Sequence, residues 1–353
     1  MAPTRLHKLL PVILARAAPP EKQPFIIQQQ SMSSNQKSLL VRSERAPISV
    51  TVAGAVLVLG AIMFSCKAIM VKLSLPYGID PVSLLALRMI LAVPAYIGIL
   101  AFCLRSEQAK QQRKATMLLR ELPSVIFLGV LGYYLASYFD FVGLAYIDAS
   151  LERVILYAYP TLVLLISAIW LKQKVSLHQV IAILFCYAGI FVALRLGKTN
   201  VQHENLWLGA GLIFLSALTY AAYLVGSGQL IPRLGVWTFT SCAMIVSAVC
   251  VITHFLLSAP EVGLWSHPLP VYGYAFTMAI FSTVIPSFLI SIGIKRIGAS
   301  NAAIFGGIGP ISTIVLANLL LDESLTVAQL WGTALVILGV IYISVQMKSD
   351  ISK

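Results

Sequence analysis

The sequence predicts an all-α integral membrane protein of about ten transmembrane helices in two inverted five-helix repeats, on three observations: its hydropathy, the lengths of its apolar windows and a self-match at a constant offset. The 353 residues are 59% hydrophobic and only 11% charged, with a mean hydropathy of +0.88. One soluble core cannot hide that much apolar surface, so lipid has to act as solvent. Each helical crossing of the hydrocarbon layer takes roughly 20 apolar residues. Windows of that kind lie near 48–71, 82–104, 122–144, 150–171, 176–195, 206–226, 236–258, 270–294, 300–321 and 327–346. Strict alternation is absent from them, and a spanning segment must satisfy its own backbone, so they are read as helices and not barrel strands.

Laid against itself at an offset of 150, the chain matches over a long span without a gap. Ser137 falls on Ser287, Gly143 on Gly293, Ala149 and Ser150 on Ala299 and Ser300, Pro160 on Pro310, Gln179 on Gln329 and Gly189 on Gly339. At an offset of 155, Gly54 falls on Gly209. The expected organisation is a basic tail at 1–47, a first five-helix unit at 48–196, a second at 206–346 and a C-terminal tail at 347–353. Five is odd, so the second unit enters the membrane upside down. That explains why the connector "WLKQKVSLHQV" carries Lys172 and Lys174 where its later counterpart "LLDESLTVAQL" carries Asp322 and Ser324.

The net charge of +12 is concentrated beside the membrane: 1–47 holds seven Lys/Arg against two Glu, and 105–120 holds five against one. With 105–120 inside, Lys172, Lys174, Arg233, Lys295, Arg296 and Lys348 fall inside, and Asp322, Glu323 and Glu261 fall outside. Lys72, Arg195 and Lys198 are exceptions. The expectation is a plasma-membrane protein (the inner membrane in a bacterium) with both termini cytoplasmic, a lipid bilayer as partner and no nucleic acid. Self-association as a homodimer is left open. The tail, with "APPEKQP" and "QQQSMSSNQK", reads as disorder, or as an over-long start with Met32 as initiator. Its "KLLPVILARAA" has the makings of a short signal or transit segment. Cys66, Cys103, Cys186, Cys242 and Cys250 all fall in apolar windows with no CxxC spacing, so they are read as apolar fillers. No cofactor or metal is expected, since neither HExxH, a Walker loop nor a dinucleotide fingerprint occurs.

The segments "FSCKAIMVKLSLPYGIDPVSLLALRM", "GLAYIDASLERVILYAYPTLVLL" and "IKRIGASNAAIFGGIGPISTIVLANLLLDESLTVAQLWGTALVILGV" resemble the EamA branch of the drug/metabolite transporter superfamily, over roughly 50–345. The resemblance implies ten helices in two inverted repeats, a central cavity lined mainly by helices 1–4 and 6–9, and transport of small metabolites, often export. Arg88 matches the "LR" of the family's second helix.

Charged and polar residues inside the windows are the candidate site. Lys67 and Arg88 sit where a charge costs about 2.5–3.5 kcal/mol on insertion scales. They are read either as holding an anionic or zwitterionic substrate or as bridging helices to Asp140 or Glu152. Asp140 shares a helical stripe with Tyr133 and Ser137, which at the offset of 150 becomes Thr283, Ser287 and Ile290. A desolvated carboxyl can carry a proton, so Asp140 is the proton-coupling candidate, with a permanent salt bridge as the competing reading. Glu152 and Arg153 are read as a gate or, for Glu152, as an acid suited to a helix N-terminus. Pro160 and Pro310, with Gly306, Gly307 and Gly309 in "GGIGP", are the expected hinges. Tyr138 and Tyr220 are the aromatic candidates for substrate contact, against packing roles for most other tyrosines. His254 stands alone in the sequence.

The function expected is a secondary active transporter, exporting a small metabolite such as an amino acid or a related organic anion or zwitterion. A cationic drug exporter is the alternative within transport. Lys67, Arg88 and Asp140 sum to one positive charge, which disfavours a cation. An intramembrane enzyme would need a clustered Ser/His/Asp or metal constellation, and a non-transporting scaffold would move nothing when reconstituted.

Overall fold

The structure, a computed structural model, describes residues 50–105, 108–172, 177–196, 203–258, 262–306, 308–323 and 326–351. The predicted tail at 1–47, the residues Met32, Lys174, Lys198, Glu261, Gly307 and Ser324, and 352–353 lie outside the described residues. Among the described residues every regular element is helical: α1 (Val50–Ser74), α2 (Pro81–Leu104), α3 (Gln108–Gly129), α4 (Ala136–Leu144), α5 (Ala149–Leu156), α6 (Tyr159–Trp170), α7 (Leu177–Leu196), α8 (His203–Leu234), α9 (Val236–Ser258), α10 (Leu269–Ala279), α11 (Ile285–Phe305), α12 (Ile308–Leu321) and α13 (Val327–Ile351).

Seven of the described helical runs are long and apolar enough to cross a membrane, and three shorter apolar stretches, Ile183–Leu194, Ile311–Leu321 and Val327–Gly339, lie on the expected fifth, ninth and tenth windows. One of the seven is a 35-residue run, Leu269–Ala303, because α11 carries past the end of the eighth window and is interrupted only at Gly298, whose φ of 80° and ψ of 164° leave the helical region. The basic segment at 105–120 is also not a plain loop: α3 begins at Gln108, since straight-chain Lys, Arg and Gln are good helix formers and carry the helix out past the apolar layer. At the C-terminus α13 runs on through 347–351.

Large apolar side chains such as Phe102, Ile169, Leu257 and Leu269 are about four-fifths exposed. Many more project outward from the other helices, a surface that lipid tolerates and water does not. Inside, α1 packs on α11 and α12, and α8 packs on α4 and α6, while α2 meets α9 and α7 meets α13.

Several backbone features recur at the sequence offset of 150. A wide turn with π-type bonding interrupts the third helical run at Val130–Leu135 and the eighth at Ile280–Val284. Lys172 and Asp322 are the two described residues other than glycine with positive φ, at 53° and 52°, so the two connectors leave their helices through the same left-handed turn. The run at 149–170 breaks at Tyr157 and Ala158 between α5 and α6, and the later run breaks at Gly306 between α11 and α12. Pro160 sits in the first turn of α6 and Pro310 in the first turn of α12. In that position neither removes a helical hydrogen bond from mid-helix as expected, because a first-turn N–H has no partner within its helix anyway. Each proline therefore starts a half-helix after a break.

At the α7–α13 contact, Gly189 and Gly332 approach so closely that a Cβ on either would lie 2.5 Å from the other's carbonyl oxygen. Cys186 Sγ lies 3.5 Å from the Val336 carbonyl oxygen beside it. Only glycine permits that approach. Gly332→Ala is expected to destabilise the purified protein by about 1–3 kcal/mol in detergent unfolding. Gly211→Ala, where a Cβ meets nothing within 4 Å, is expected to leave the midpoint unchanged or slightly raised.

Candidate functional site

Four of the predicted residues converge into two buried ion pairs. Lys67 on α1 places Nζ 2.7 Å from Oδ2 of Asp140 on α4, with the two residues 3% and 0% exposed. Glu152 and Arg153, neighbours on α5, are buried too, with Arg153 Nε 3.3 Å from Glu152 Oε2. The pairs lie close enough for each to act electrostatically on the other. Asp140 is bridged to Lys67 in this structure. The Glu152 carboxylate faces its neighbouring guanidinium.

Phe64 unites the pairs. Lys67 Nζ stands 4.6 Å and Arg153 Cζ 5.9 Å from the centroid of its ring, and Tyr220 on α8 stacks against it at 6.4 Å. The negative face of an aromatic ring supports cations in a dry site without adding an acid. Phe64 precedes Lys67 by three residues on one helical face, which is the signal by which sequence reasoning could have found it.

A cavity adjoins the cluster. Arg88 and Arg153 line it, together with Ser137, Tyr220, Ser282 and Thr283, and no Asp or Glu is among the described residues that do. Arg88 Nη2 donates to Ser137 Oγ at 3.0 Å, and its guanidinium lies 4.7 Å from the Phe141 ring centroid. The predicted stripe of Tyr133 and Ser137, and its counterpart Thr283, Ser287 and Ile290, also face this space, whereas Asp140 and Lys67 stand behind the wall. The π turn at 130–135 leaves Gly132 without a side chain against the Tyr223 ring, and Tyr133 Oη meets Tyr223 Oη at 2.9 Å.

The two broken helices meet at the same cavity. Tyr159 Oη, at the start of α6, donates to the Ala303 carbonyl oxygen at 2.9 Å. Gly306 and Gly309 line the cavity, and Ser65 Oγ on α1 donates to the Gly309 carbonyl oxygen at 3.0 Å. A side chain at Gly306 would collide with the Tyr159 hydroxyl. Tyr138 is elsewhere: it is not among the lining residues and packs against Phe139, Tyr134 and His254. His254, alone in the sequence, stands beside both tyrosines, with Nδ1 3.2 Å from Tyr134 Oη.

Glu323 is the polar residue whose position the sequence did not reveal. Its carboxylate accepts from Ala149 N at 2.8 Å, Ser150 N at 3.0 Å and Ser150 Oγ at 2.5 Å, closing the N-terminus of α5 from the far end of the chain. An acid at a helix N-terminus satisfies orphan N–H groups and the helix dipole. That work falls to Glu323 and not to Glu152, because Glu152 in the first turn points to Arg153 instead.

The model of the EamA-like transporter family matches the chain twice, over 52–195 and 207–345. The Bacillus subtilis (strain 168) protein "Uncharacterized transporter YcbK" is 30% identical over 293 residues, covering 82% of this chain and 92% of its own length. Also similar are the same strain's "Uncharacterized transporter YyaM", 28% identical over 65% of this chain and 75% of its own length, and an Archaeoglobus fulgidus "Uncharacterized transporter", 27% identical over 65% and 79%. A solved crystal structure shares the fold with a TM-score of 0.60 at 17% identity, covering 86% of this chain and 99% of its own.

The ion pair yields a double-mutant test. Lys67→Met or Asp140→Leu alone leaves one buried charge uncompensated and is expected to cost about 3–5 kcal/mol of stability. The double variant is expected to recover most of that loss in detergent unfolding, while additive losses would show that the two charges do not compensate each other.

Proposed function

The chain belongs to the EamA-like transporter family and is a multi-pass membrane transporter, and we propose that it is a secondary active transporter of a small metabolite, working by alternating access. The observation that carries this reading is the meeting of two interrupted helices at a cavity flanked by buried charges. Unwound backbone between half-helices is sustained at membrane depth only where protein or a cavity covers it, and such breaks commonly surround transport sites. The proposed architecture is two five-helix halves of opposite orientation. Its supports are the doubled family match, the turns at 172 and 322, and the interchange of packing partners between α1 with α11 and α12 and α8 with α4 and α6.

In this mechanism the half-helices rearrange about the breaks beside Pro160 and Gly306. The Glu323 clamp on α5 holds one side closed and is released when that side opens. The substrate range is an amino acid or a related organic anion or zwitterion, and export is the proposed direction. Asp140 is the proposed proton carrier: to accept a proton it must leave Lys67, which ties protonation to a movement of α4 against α1. Glu152 and Arg153, half a helix from the Glu323 clamp, are proposed to communicate between clamp and cavity.

Reporter fusions test the orientation. One after Lys353, one within 105–120 and one at Lys172 are expected to read cytoplasmic, and one at Asp322 external; 172 and 322 reading on the same side would end the inverted arrangement. Proteoliposomes loaded with labelled amino acids and organic acids, with and without a pH gradient, test the transport. Gradient-dependent movement of one compound is expected, and Asp140→Asn is expected to abolish the gradient dependence while the protein stays inserted. Undiminished gradient-driven flux in that variant would remove Asp140 from the role.

A further inference from the structure

The buried charges on α1, α2, α4 and α5 do not balance. Lys67, Arg88 and Arg153 stand against Asp140 and Glu152, three positive groups against two negative. The contacts locate the excess: Asp140 meets Lys67, Glu152 meets Arg153 and the two carboxyls meet each other, while among the described residues no carboxylate lies within ion-pair distance of Arg88. Asp140 acts on Arg88 through space, but its contact is with Lys67. Arg88 is 2% exposed, its Nε has no hydrogen-bond partner, and it lines the cavity. A guanidinium so buried is costly unless an anion compensates it, and its planar fork matches a carboxylate in two parallel hydrogen bonds.

We infer that the cavity takes an organic carboxylate anion with an aromatic or apolar body and no ammonium group, its carboxylate seated at Arg88. This narrows the substrate range proposed above and rests on that transport reading for the ligand's being cargo. The exclusion of an ammonium follows from the wall. A zwitterion's ammonium would share the space with two guanidiniums, and no Asp or Glu lines it to receive the charge. A proton on either buried carboxyl only enlarges the positive excess. The hydroxyls of Ser282 and Thr283, buried at the same cavity without partners, are further donors for an anion. Phe64, Tyr157, Tyr159 and Tyr220 supply the apolar and aromatic wall against which the body of the ligand would stack.

Three probes with the same body and different charge test this: labelled 3-phenylpropionate, L-phenylalanine and 2-phenylethylamine, in equilibrium binding to the purified full chain in nanodiscs and in flux across proteoliposomes. The acid is expected to bind, phenylalanine about tenfold or more weaker, and the amine not at all. Arg88→Gln is expected to weaken binding of the acid by roughly 30-fold or more, with partial rescue in Arg88→Lys, which keeps the charge and loses the fork. If Arg88→Gln fails to fold, the probe series on the unaltered chain still decides. The inference is overturned by equal or tighter binding of phenylalanine or the amine, by no binding of the acid, or by unchanged binding of the acid in a folded Arg88→Gln protein. Binding of the acid without movement supports the anion site and removes the transport reading, whereas movement of the amine in place of the acid keeps transport and removes the anion site.

Discussion

A charge taken out of water into a membrane interior has to be answered by another charge close at hand, and the Lys67–Asp140 contact at 2.7 Å is where this protein meets that requirement. The pair joins α1 to α4 across the bundle. Phe64, one turn before Lys67, then brings Arg153 to the same aromatic face, and Arg153 brings Glu152. Four ionisable groups on three helices thus hold a single arrangement, and displacing any one strands another. The same economy leaves Arg88 at the cavity wall with a hydroxyl and a ring, but no acid, in contact.

Backbone polarity imposes the second constraint. Each peptide group in lipid needs a partner, so the breaks at 157–158 and at Gly306 persist because neighbours cover them. Tyr159 donates to the Ala303 carbonyl oxygen, Ser65 to that of Gly309, and Glu323 receives the free N–H groups at the start of α5. These contacts come from distant parts of the chain and add to the short-range bonds that Tyr157, Ala158, Gly306 and Gly309 make with their own helices, so the broken helices hold their shape partly through tertiary packing. A structure held in this way can change when the packing changes, which is the physical requirement for exposing one cavity to two sides in turn.

Much of the site was legible in sequence. Lys67, Arg88, Asp140, Glu152 and Arg153 stand out because ionisable residues are rare in apolar windows, and all five are buried. Tyr220 lies at the cavity wall, and Tyr138, on the same grounds of residue type, does not, since a tyrosine's helical position alone does not say which neighbour its ring will meet. Pro160 and Pro310 begin half-helices after breaks, where a missing N–H costs little, and do not interrupt a helix from its middle. Glu323 looked like a marker of membrane side because its partners, Ala149 and Ser150, are 174 and 173 residues away.

By itself the sequence determined the solvent, the helical class, the match at an offset of 150 and the charges that lie within apolar windows, because each is a property of composition or period along the chain. The tertiary structure alone decided which cation met which anion, which helix ends were capped from afar, and which polar groups faced the cavity. Those are relations between segments far apart in sequence. They depend on distances of a few ångströms that no local pattern encodes, and in a low-dielectric interior such distances separate a silent ion pair from a charge available to a ligand.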